Sequence, residues 1–329
     1  MRSGVVEHHG EVRLRRAVLA TCVFLMPLST CRAADGEMLS SLRAFADNLV
    51  EKARDHYGPK ETPLFVSQLD VETGALPPSD SKLYRTDTRG GAGPTTNNLQ
   101  FDTALIRFLD AMTRVTGDGR YARAVDEYLQ YYLANLPEEK TGFFPWGDHR
   151  GYDVVKDETI RASHEFKVTL PPWERLYAVN PEAVTRALES LKLHIYDESK
   201  SYAFSRHYPS SKSVPHSMNS SGFAWVAAWT FLHTKTGRPE HLQWARDMVD
   251  YFASLRDPET HLLAAHPYDP EYPVTLNSAR DRARASRTEY MGQITFLVAN
   301  LLRAADLSDA ETGDHFRKEA LTYYHAFTS

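Results

Sequence analysis

Three times along the chain a segment with one apolar face is followed by a short break and a second such segment. This repetition restricts the fold more than any other feature. From Leu99 the set Leu105, Phe108, Leu109 and Met112 keeps helical spacing until "TGDGR" ends it. Tyr121, Ala124, Val125, Tyr128, Leu129, Tyr132 and Leu133 then form the apolar stripe of a second helix. "GFAWVAAWTFLHTKTGRPEHLQWARDMVDYFASL" has the same phrasing, a helix, a "TG" turn and another helix. "GQITFLVANLLRAADL" followed by "TGDHFRKEALTYYHAF" gives it once more. Asn180 before Pro181 and Glu182 marks a further helix start, with asparagine as cap and proline in the first turn. Strand-like alternation is scarce.

A helix pair of this kind cannot bury its apolar faces alone, so the pairs must stack side by side. The fold class is all-α, and two arrangements satisfy it: an elongated solenoid, or an α/α toroid, a barrel of helical hairpins. Long irregular stretches at 58–98, 137–160 and 200–220 favour the toroid, because such loops carry function on a compact scaffold. The last pair runs to Ser329 with no obvious closing segment, so the expectation includes an incomplete barrel.

The N-terminus reads as an export signal. Arg13, Arg15 and Arg16 precede the apolar run "AVLATCVFLMPLST", and small residues follow in "CRAAD". Cleavage is expected after Ala33 or Ala34, giving a signal peptide over 1–34 and one domain over 35–329. The competing reading, a buried N-terminal helix, is opposed by Pro27 and by the flanks. "LSTC" ending at Cys31 weakly resembles a lipoprotein box, although Thr30 is a poor residue before the cysteine. Both cysteines, Cys22 and Cys31, leave with the signal, so the mature chain relies on packing instead of disulfides. A net charge of −5 gives no nucleic-acid footprint, and no apolar run reaches the roughly 18 to 20 residues that span a membrane.

Chemistry concentrates in three short stretches. "FFPWGDHRGYD", residues 143–153, mixes core-forming aromatics with helix breakers and charged groups, and it supplies His149. "SHEFK" supplies His164 and Glu165, and "SRHYP" supplies Arg206 and His207. Two imidazoles and a carboxylate suit a divalent transition metal. With 14 histidines in the chain, accidental pairs that only satisfy loop backbone are the leading reading on spacing alone. HExxH, G-x-S-x-G, a Walker A loop and a cysteine cluster are all absent from the sequence.

The series "WGDHRGYD", "SHEFK" and "FSRHYP", set among helical hairpins, resembles polysaccharide lyase family 2, the exported or periplasmic pectate lyases. "YGPKETPLF" is similar to the related bacterial sequences. The resemblance implies metal ligands at His149, Glu165 and His207, with Mn2+ as the expected ion and Co2+, Ni2+ or Zn2+ as alternatives. It implies Arg206, immediately before the second histidine, as the Brønsted base. The implied activity is β-elimination on polygalacturonate or oligogalacturonides by a secreted or periplasmic monomer.

On the substrate side, Trp146 and Tyr152 offer flat faces to sugar rings, or else anchor the loop, which is the role expected of Phe143 and Phe144. Arg150 and Lys167 are placed to meet uronate carboxylates, and Tyr208 adjoins a proposed ligand. Arg206 has its own alternative, a bidentate clamp on a substrate carboxylate, since guanidinium normally stays protonated. Two other functions stay open: a hydrolase or epimerase on uronic sugars, and a non-catalytic carbohydrate-binding protein. A hydrolase would need paired carboxylates, for which Asp148 with Asp153 or Glu165 are loose candidates.

Overall fold

The computed structural model describes residues 28–77, 95–147, 150–160, 166, 171–197, 201–207, 218–263 and 291–326, with side chains from residue 36 onward and excepting those of 219, 220, 291 and 292. The chain forms two compact units, Met1–Asn48 and Leu49–Ser329. The division falls inside the first helix, α1 (Leu28–Lys52), and the expected boundary at residue 34 lies within the first unit.

In the second unit the paired helices form as the sequence phrasing predicts. Helix α2 spans Leu99–Thr116 and α3 spans Gly119–Asn135. Their joint is two residues long. Gly117 takes the left-handed conformation at φ 73°, which costs glycine nothing, and Asp118 caps α3 by accepting from the Arg120 N–H at 2.9 Å. The stripe from Tyr121 to Leu133 on α3 is buried in full. On α2 the buried face is turned slightly from the expected one. Ile106, Leu109 and Met112 enter the core with Leu99, while Leu105 and Phe108 are only half-buried.

Helix α4 (Trp173–Val179) and α5 (Pro181–Glu189) follow, with Asn180 capping α5 through the Ala183 N–H at 2.9 Å. Arg175 on α4 joins the α2–α3 hairpin by reaching Asp110 at 3.2 Å and Asp126 at 2.5 Å. Helix α6 (Phe223–Thr236) is apolar on every side and is buried continuously from Phe223 to Leu232. It packs against α5, α7 (Pro239–Ser254) and α8 (Met291–Asp306). Its turn to α7 again uses a left-handed glycine, Gly237 at φ 69°, and Pro239 opens α7.

In the last pair the break falls earlier than "TGDH". Helix α9 spans Ala310–His325, with Thr312 and Gly313 inside its first turn, because Asp309 accepts from the Thr312 N–H at 2.8 Å. A capping carboxylate begins the helix three residues sooner than the threonine would. Arg256, just beyond α7, meets Glu319 of α9 at 2.7 Å in a nearly dry setting.

Two small antiparallel sheets interrupt this helical scaffold. β1 (Thr96–Asn97), β2 (Tyr152–Asp153) and β3 (Glu158–Thr159) make one. β4 (Ile195–Asp197) and β5 (Ser201–Phe204) make the other. All but β4 lie in stretches expected to be irregular, and both sheets adjoin the chemical motifs. Among the described residues no helix is long and apolar enough to cross a membrane.

Candidate active site

The first small sheet gathers three separated sequence stretches. Thr96 pairs with Asp153 and Asn97 with Tyr152, so the strand entering α2 lies against the end of "WGDHRGYD". "YGPKETPLF" packs on the same hairpin. A side chain at Gly58 would come within 2.2 Å of the Val154 carbonyl oxygen, and the Lys60 N–H donates to Asp157 at 3.0 Å. Asp55, two residues before that stretch, organises it by accepting from the Thr62 hydroxyl at 2.6 Å and its N–H at 3.2 Å.

Two adjacent asparagines tie the sheet to α2. The Asn97 amide donates to the Phe65 carbonyl at 2.9 Å and to Asp102 at 2.7 Å, and the Tyr128 hydroxyl donates to Asp102 at 2.9 Å. Burial pushes the Asp102 carboxyl up from 3.8 to about 7, against the pull of its donors Tyr128, Asn97 and the Asn98 backbone. Asn98 caps α2 with its side-chain oxygen, and its amide nitrogen donates to the carbonyls of Gly147 and Arg150 at 2.6 and 2.8 Å. Those carbonyls flank Asp148 and His149 in the sequence. Gly147 sits at φ 89°, open to glycine and strained for other residues.

The aromatics of "FFPW" lie beneath this loop as core. Phe143, Phe144 and Trp146 are fully buried, with Phe143 stacked on Phe144 at 5.1 Å. Phe166 is the hub: its ring lies 5.6 Å from Phe143, 5.9 Å from Trp173 and 6.4 Å from Trp225. The Tyr132 hydroxyl donates to the Pro145 carbonyl, fastening the loop's entry to α3. The carbonyls of Pro145, Gly147 and Arg150 are met there by Tyr132 and Asn98.

"SRH" follows β5. Ser205 is fully buried and doubly held by His194: its N–H donates to the His194 carbonyl at 3.1 Å, and its own carbonyl lies 2.7 Å from His194 Nδ1. Accepting at a carbonyl fixes the proton on Nδ1 of that imidazole. The Phe166 N–H donates to the Arg206 carbonyl at 3.3 Å, which joins the "SHEF" stretch to the "RH" pair. Arg206 and His207 are half-buried.

His149, Glu165, Lys167 and Tyr208 lie outside the described residues, as do Asp148 and His164. Among the described residues no group of three metal-binding side chains gathers elsewhere. Three of the expected substrate contacts lie among the described residues. Trp146 is wholly core, so it has no face for a sugar. Tyr152 is only 5% exposed; burial first, then Tyr131 and Asp157, hold its phenol above the ordinary range. Arg150 is paired with Glu138 within the chain.

Asn98, His194 and Asp102 escaped the sequence reading. A doubled asparagine before a helix that needs one cap was the visible sign for Asn98. His194 and Asp102 gave none, since their partners are distant in the chain.

Comparison with solved structures at a TM-score above 0.5 agrees with this architecture. The fold is an α/α toroid. A sugar epimerase from a ruminal bacterium aligns over 89% of this chain and 72% of its own with a TM-score of 0.51 and 13% identity. Cellobiose 2-epimerase from Bacillus thermoamylovorans B4167 aligns over 88% and 72%, with a TM-score of 0.45 and 10% identity. The chain belongs to the periplasmic pectate lyase family, which it matches over residues 62–285. That span includes all three motif stretches. A pectate disaccharide-lyase of Dickeya dadantii (strain 3937) is 30% identical over 98 residues, a stretch covering 28% of this chain and 18% of the relative.

Proposed function

We propose that this protein is an exported pectate lyase that cleaves polygalacturonate or oligogalacturonides by metal-assisted β-elimination. The observation that carries the reading is the Phe166–Arg206 backbone bond in a chain of this family, because it ties the stretch bearing Glu165 to the pair Arg206–His207. His149, Glu165 and His207 are the proposed ligands. Two imidazoles and one carboxylate suit a divalent transition metal, and the family resemblance makes Mn2+ the proposed ion, with Co2+, Ni2+ or Zn2+ as alternatives. When bound, such an ion supplies positive charge beside the uronate carboxylate and stabilises the negative charge that develops as C5 loses its proton.

Arg206 is the proposed base. A guanidine nitrogen takes the C5 proton, the C5–H electron pair becomes the C4–C5 double bond, and the C4–O bond breaks. The leaving oxygen gains a proton from water. His194 and Phe166 hold the backbone on either side of the Ser205–Arg206 peptide, which fixes where the arginine begins. Lys167 and Tyr208 are the remaining proposed substrate contacts. The Arg-rich start and the apolar run before "CRAAD" support export to the periplasm or medium, and the proposed state is a monomer.

The test is incubation of the purified protein with polygalacturonate and Mn2+. An unsaturated product, seen as new ultraviolet absorbance and abolished by a chelator, is the expected result. Reducing ends without unsaturation would show hydrolysis, and binding without turnover would show a carbohydrate-binding protein. Either outcome overturns the proposal.

A further inference from the structure

Asn98 divides its side chain between two tasks. Its oxygen accepts from the Gln100 N–H at 2.9 Å and caps α2. Its amide nitrogen has two hydrogens, and it donates to two carbonyls, Gly147 at 2.6 Å and Arg150 at 2.8 Å. The residue is fully buried, so no water stands by to replace either donor. Serine or aspartate would cap the helix equally well. Neither can also donate twice to the loop. The cap therefore does not explain the asparagine; the loop does.

We infer that Asn98 is a positioning residue for His149, setting from the rigid end of α2 the two ends of the segment that carries this histidine. The inference rests on the reading of His149 as a metal ligand. Tyr132 fixes the approach to that segment through Pro145, and Gly147 supplies the left-handed turn that brings its carbonyl to the amide. A ligand held by one end alone would swing, and groups that orient a metal ligand typically change affinity by 10–100-fold when removed.

The experiment is a Mn2+ titration of the full chain, following loss of the free-ion electron paramagnetic resonance signal, with Tm measured on every sample. Asn98→Ser keeps an uncharged cap and removes the double donor. Asp118→Ala, which removes only the cap of α3, controls for general destabilisation. Asn98→Ser should raise the Kd for Mn2+ by about tenfold or more and also lower Tm, because two buried carbonyls lose their donor, while Asp118→Ala lowers Tm as well but leaves Kd unchanged. Wild-type Kd in Asn98→Ser, alongside loss of binding in His149→Ala, would overturn the inference and leave the ligand assignment standing. Equal weakening in Asp118→Ala would also overturn it, by making the effect one of stability. Unchanged binding in His149→Ala, or no binding by the wild type, would remove the ligand reading and the inference together.

Discussion

The Tyr128 hydroxyl donates to Asp102 at 2.9 Å in a site where the phenol is fully buried and the carboxyl nearly so. Helix α2 thus presents a titratable group to α3 inside the core, and its charge is opposed by burial. With the pKa raised from 3.8 to about 7, the folded chain keeps a proton in that interval that the unfolded chain gives up. Stability must then fall as pH rises from about 4 to about 7 and level off above, over a span of about 4 kcal/mol. Asp102→Asn has no such proton. Its urea midpoint, compared with the wild type at several pH values, should gain steadily across that window. Parallel profiles would contradict the assignment.

Trp146 should behave as core. Trp146→Ala is expected to lose about 3–5 kcal/mol of stability, as large aromatics removed from packed interiors do. A thermal melt gives the answer directly. An unchanged Tm with a raised KM on polygalacturonate would instead return Trp146 to the sugar.

His149→Ala, Glu165→Ala and His207→Ala should each lower bound metal, with affinity falling about tenfold or more. Elemental analysis of the purified variants is the check. Full occupancy in all three would eliminate the proposed centre.

For Arg206 the base and the clamp part company in kinetics. Arg206→Lys should keep fold and metal while kcat falls by at least about a hundredfold, the usual scale of general-base catalysis. A clamp would show mainly in KM, because lysine keeps the positive charge. Steady-state rates across a pH series, with metal content measured for each variant, distinguish them. Near-normal turnover would refute the base.

Helix pairs were legible because their causes are local. The stripe from Tyr121 to Leu133, the caps Asp118 and Asn180, and the left-handed Gly117 and Gly237 each act within a few residues of themselves. Even there, neighbours corrected details. Ile106 displaced Leu105 and Phe108 from the core, and Asp309 moved a helix start that "TG" had suggested.

The sequence by itself determined the stacked helices and the three chemical stretches, since hydrophobic spacing, capping and motif order are written along the chain. Only the tertiary structure decided how the described residues in and beside those stretches are packed and paired. An indole in a Pro- and Gly-rich loop serves a sugar or a core equally well until Phe144 closes on Trp146. The same holds for Asn98, whose amide has nothing to hold until the carbonyls of Gly147 and Arg150 are brought to it. Hydrogen-bond and packing partners distant in sequence are set by the fold, and no local pattern encodes them.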